Sequence, residues 1–75
     1  MTGKQFIDVF RELIQEDSDF NLDTPLENLD AWDSMAVMAV IAWLDVEHAQ
    51  KIGFDDLAQL RTVGEIAALV PGFEN

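Results

Sequence analysis

The chain has no cysteine, which excludes a disulfide framework and any thiolate-ligated metal site. Positive charge is scarce: four Lys and Arg stand against fifteen Asp and Glu, for a formal net charge of −11. Phosphate backbones are bound by clustered Lys and Arg, so this balance argues against nucleic acid, and equally against an anionic membrane surface. His48 is the one histidine, and a lone imidazole is a poor candidate for a metal ligand. Long apolar runs are missing too. The longest, Met35 to Leu44, is ten residues, short of the roughly 18 that a bilayer span needs. The opening MTGKQFIDVF lacks the continuous apolar core of a signal peptide. Together these absences predict a soluble, cytoplasmic protein. No stretch alternates with period two long enough for a strand, and there are no internal repeats.

What is present fits one domain over residues 1–75. A chain this short buries only about 60% of its unfolded surface, which leaves a thin core and no room for a deep cleft. Its acidity suits a basic protein surface as partner, since charge at this level steers association. Thr2 to Gln15 reads as a helix: Thr2 and Gln5 form a capping box, and Phe6, Val9, Phe10, Leu13 and Ile14 make one apolar face. A long polar connection follows, within which Thr24-Pro25-Leu26-Glu27 predicts one capped helical turn and Phe20, Leu22, Leu26 and Leu29 are expected to tuck against the bundle. The second long helix runs from Ser34 to about Ala49, capped by Asp33 or Ser34 and ended by Lys51-Ile52-Gly53. Asp55 to Leu60 predicts a short helix with Leu57 and Leu60 inward. Thr62-Val63-Gly64-Glu65 is a second capping box, opening a last helix that buries Val63, Ile66, Ala67 and Val70 and stops at Pro71-Gly72. The expected fold is all-α: a four-helix bundle of three long helices and one short one, with a long loop between the first two.

Two candidate sites fail on geometry. Asp17 to Asp23 places oxygen ligands like the start of a calcium loop, but Leu22 stands where the sharp turn needs Gly, and Asn28 where a bidentate Glu is needed, with Glu27 one place early. A solvated acidic loop is the better reading, and no metal is expected. His48 lies fourteen residues after Ser34 on one helix, about 21 Å along its axis, so it cannot activate that serine. The only exposed nucleophile thus has no base beside it, and an enzyme is not expected.

Ser34 remains. On residue type alone it is a helix cap. Its context is more specific: it opens a helix, ends a long loop and follows acidic turns, so its hydroxyl should be approachable. Here the chain resembles the acyl carrier and peptidyl carrier proteins, whose second helix opens on Asp-Ser-Leu or Asp-Ser-Met with a serine that carries 4′-phosphopantetheine. Trp32-Asp33-Ser34-Met35 matches that motif. The following helix, the short acidic third helix and Thr62-Val63 fall at family spacing, so the resemblance covers nearly the whole chain. The resemblance implies an acyl-carrier-like bundle and a covalent phosphopantetheine on Ser34, flanked by Asp33 and Met35, delivered from coenzyme A by a phosphopantetheinyl transferase. The product is a phosphodiester at a helix N-terminus, where backbone N–H groups and the dipole favour an anion. The arm ends in a thiol, through which a cysteine-free chain can carry acyl groups as thioesters. The implied partners are an acyl-loading ligase or transferase and a ketosynthase or other acyl-processing enzymes, in fatty-acid, polyketide or other secondary-metabolite biosynthesis. A carrier of aminoacyl or aryl groups loaded by an adenylating ligase is the alternative within the family. From another class comes an acidic helical interaction module in which Ser34 is only a cap.

Two departures stand out. Ala31 occupies the position three before the serine where the family commonly has Gly, and Ala39 and Val46 occupy places on the second helix where many fatty-acid carriers have acids. On a wheel at about 100° per residue, Val37, Val40, Ile41, Leu44 and His48 gather as the core face. Met35, Ala39, Ala42, Trp43 and Val46 gather opposite. An apolar face beside an exposed modification site has the composition of a docking surface. The expected contact set for partners of this monomer is Trp32, Met35, Ala39, Ala42, Trp43 and Val46, with Asp30, Asp33, Asp45 and Glu47 guiding approach.

Overall fold

The computed structural model describes residues 1–74. Helix α1 spans Gly3–Ile14, α2 Ser34–His48, α3 Phe54–Ala58 and α4 Val63–Ala67, with a 3-10 turn at Leu26–Asn28 inside the loop between α1 and α2. Among the described residues there is no strand. Among the described residues no helix is long and apolar enough to cross a membrane.

The start of α1 follows its sequence signal closely. The Thr2 hydroxyl accepts from Gln5 N–H at 3.2 Å and the Gln5 side chain accepts from Thr2 N–H at 2.9 Å, so two otherwise unpaired backbone donors are covered reciprocally. The apolar face of α1 then buries Phe6, Phe10 and Ile14. Two rings of that face organise the core. Phe6 stacks on Phe10 at 5.4 Å and meets Trp43 and Phe73 edge-on at 6.1 and 6.2 Å. Phe10 meets Phe20 at 5.9 Å and Trp32 at 5.7 Å. Aromatic pairs at such spacing add to their area burial. Val40, Leu44, Leu57, Val63 and Ile66 close the core from the other elements.

The long loop is tied down by backbone bonds to the start of α4. Val63 N–H donates to Thr24 O at 3.1 Å, Gly64 N–H to Leu22 O at 2.7 Å, and Leu26 N–H to Arg61 O at 2.7 Å. The free amides that every helix start presents are therefore met by loop carbonyls, and Glu65 N–H by the Thr62 hydroxyl at 3.2 Å. Gly64 is required by this closeness, because a Cβ there would sit 2.9 Å from Leu22 O.

Four expectations need correction. The Thr24–Glu27 capping box does not form: Pro25 is the N-cap residue of the turn and no side chain caps it, while the Thr24 hydroxyl accepts from Asn21 N–H. Helix α2 ends at His48, within a residue of the expected Ala49, but its stop is Ala49 itself, in the left-handed region at φ 52 with its N–H on Asp45 O and Leu44 O, and not Lys51-Ile52-Gly53; Gly53 instead is the N-cap of α3. Leu60 lies beyond α3 and is half-buried. The last helix is short, so two helices are long and two are five-residue helices. After Ala68 the i→i−4 pattern of α4 gives way to tighter bonds, Leu69 N–H to Ile66 O and Val70 N–H to Ala67 O. Its inward face nevertheless buries Val63, Ile66, Ala67 and Val70 as expected.

Candidate functional site

Helix α2 opens on an unusual division of labour. Asp33, not Ser34, is the N-cap residue: its extended backbone turns the chain, and its Oδ1 accepts from Ala36 N–H at 2.9 Å. Val37 N–H goes to Asp33 O at 3.0 Å. Ser34 is the first residue of the helix proper and is exposed, as are its neighbours Asp33 and Met35. Its hydroxyl is therefore outside the capping bond. Asp33 takes the amide of Ala36, so those of Ser34 and Met35 remain at the positive end of a 15-residue helix. A phosphodiester ester-linked at Ser34 fits this position: it meets open solvent, backbone donors and the favourable end of the dipole.

The loop reaches this point through a brace centred on Glu16, the one buried charged side chain among the described residues. Glu16 Oε1 accepts from Ala31 N–H at 3.0 Å. Its Oε2 accepts from the Ser18 hydroxyl at 2.6 Å and from Ser18 N–H at 3.3 Å. Arg11 closes the other side, donating to Ser18 O at 2.6 Å while its guanidinium lies 4.7 Å over the Phe20 ring. The Ser18 hydroxyl first, then Ala31 N–H, hold the Glu16 carboxyl below the ordinary glutamate range. Glu65 is lowered in the same way by the amides of Arg61 and Thr62. Sequence reasoning passed over Glu16. Its only signal was a carboxylate at the end of an amphipathic helix, next to the polar loop.

Oxygen-bearing residues of the acidic loop Asp17 to Asp23 are engaged within the loop. Ser18 belongs to the Glu16 brace, and Asn21 Oδ1 accepts from Asp23 N–H at 2.8 Å. Among the described residues no group of three or more His, Cys, Asp or Glu is placed to hold a metal ion.

Helix α2 divides its faces differently from the simple wheel. Ala36, Val37, Val40 and Leu44 are buried, whereas Ile41 and His48 are half-buried at the edge. Both tryptophans of the expected contact set turn inward: Trp32 packs on Phe10, and Trp43 is half-buried between Phe6 and the His48 ring, 4.6 Å from the latter. The solvent stripe is Met35, Met38, Ala42 and Val46, with Met35 and Val46 each 80% exposed. Met38 joins a face from which the wheel had omitted it, and Ala39 sits half-buried at its margin. Asp45 and Glu47 are exposed beside the stripe, Asp45 held by Lys51 at 3.0 Å. Asp30 is exposed beside Ala31, on the approach to Ser34.

Compared with known families, residues 4–70 match a family model described as a phosphopantetheine attachment site. No curated protein and no solved structure matches the chain.

Proposed function

The chain belongs to the phosphopantetheine-attachment family, and on that premise we propose that Ser34 is the residue that bears the arm. The family's domain is the attachment site of a covalent 4′-phosphopantetheine, so the chain is a phosphopantetheine-bearing carrier. The observation that supports Ser34 is the separation of cap from nucleophile: Asp33 satisfies the helix start, which leaves an exposed hydroxyl at its first residue. When bound, the group supplies a thiol that holds acyl chains as thioesters. In this reading the protein is not a catalyst. It is the substrate of a phosphopantetheinyl transferase and then presents cargo to an acyl-loading ligase or transferase and to a ketosynthase or other acyl-processing enzymes.

Exposure along α2 supports a partner face there. Met35, Met38, Ala42 and Val46 form the contact stripe, and Asp30, Asp33, Asp45 and Glu47 orient a basic partner around it. Neither tryptophan belongs to it. The experiment is intact mass after incubation with coenzyme A and a broad-specificity transferase. The natural chain should gain one phosphopantetheine and Ser34→Ala none, with unchanged helical content. An alanine variant that is still modified would refute the assignment.

A further inference from the structure

Resting on the reading of Ser34 just given, we propose that Glu16 is a positioning residue for the modification of Ser34, acting through the backbone of Ala31. A long loop can close in many ways. Here one carboxylate holds both of its ends, Ser18 at the start and Ala31 at the finish. Ala31 leads directly into the last turn, where Trp32 N–H donates to Leu29 O at 3.0 Å and Asp33 caps α2. Ser34 is three residues beyond the clamped amide. The same bond sets the loop's end against the end of α1: Leu13 and Gln15 line one shallow hollow with Ala31, Asp33 and Met35. A transferase that reaches Ser34 meets this shoulder as a single surface. The Trp32 ring on Phe10 is a second, apolar anchor for the loop. Losing the carboxylate therefore loosens the approach to Ser34 without releasing the loop from the core.

The test is steady-state loading from coenzyme A by a broad-specificity transferase, with amide hydrogen exchange followed at residues 31 to 34. Glu16→Leu keeps the bulk and removes both acceptors. It should raise the KM for the carrier roughly tenfold, as when the binding-competent loop falls to about a tenth of the population, with kcat nearly unchanged. Exchange at Ala31 should quicken while helical content stays. Glu16→Gln retains one acceptor oxygen for Ala31 and should restore most of the loss. Wild-type KM in a folded Glu16→Leu overturns the proposal. If that variant does not fold, Glu16→Ala, which also removes both acceptors, decides: a raised KM supports the role, and a wild-type KM overturns it. Failure of the natural chain to load at all would count against Ser34 itself, and is thereby distinguished from failure of the Glu16 proposal.

Discussion

At Asp33 and Ser34, either residue could cap the helix by type, but only the serine offers a hydroxyl. Asp33 makes the capping bond, so Asp33→Ala should cost about 1 kcal/mol of stability. Ser34→Ala should stay within about 0.5 kcal/mol of the natural chain, because it removes no cap. Thermal unfolding of both variants checks this, and reversed costs would return the cap to Ser34. Glu16 and Glu65 carry the pH dependence. Both carboxyls lie below their ordinary range in the folded state. Their stabilisation is therefore fully present above the unfolded glutamate value and is lost as pH falls through the folded one. Acidification also relieves the repulsion of a chain at −11, which acts in the opposite direction. A comparison with Glu16→Gln removes that shared contribution: from about pH 6 to about pH 3 the natural chain should lose stability relative to the variant. A constant difference across that range would show that the brace is not charge-assisted.

Among the elements, capping chemistry was legible where two partners sit three residues apart, and it failed where tertiary bonds compete. Thr2–Gln5 and Thr62–Glu65 both form as read. Thr24 does not cap, because its carbonyl is drawn to Val63 N–H and its hydroxyl to Asn21 N–H. The end of α2 was read to within a residue, but its stop was assigned to Gly53 because the left-handed residue there is Ala49, not a glycine. An alanine in that region is strained, so Ala49→Gly should stabilise by up to about 1 kcal/mol, measured by denaturant unfolding. Gly64 shows the reverse. Gly64→Ala would drive a Cβ against the Leu22 carbonyl and should cost about 1–3 kcal/mol, freeing the loop that carries the Glu16 brace. A neutral outcome would mean the loop yields readily. The inward turn of Trp43 was not legible, since a wheel fixes the direction of Cβ but not the long reach of an indole toward Phe6. Trp43→Ala is accordingly a stability variant, expected near the lower end of about 3–5 kcal/mol.

For the whole molecule, the proposed site rests on one arrangement: a thin aromatic core, a long loop tied to the start of α4, and an exposed serine beside an apolar stripe. Helix order and the Asp-Ser-Met motif were readable because they are local. The Glu16–Ala31 bond was not, because it joins residues fifteen apart through a side chain. Val46→Asp, at an 80% exposed position, should leave folding within about 0.5 kcal/mol but impair acyl transfer, and added salt should slow partner association more than it weakens the complex. The central claim is that Ser34 bears an arm used for thioester cargo. Its most direct test is site-mapped mass spectrometry of the protein isolated from the cells that make it, before and after hydroxylamine, which cleaves thioesters. One phosphopantetheine on Ser34, carrying an acyl mass that hydroxylamine removes, is the predicted result. An unmodified protein, or a group mapped to Ser18 or any other residue, would contradict it.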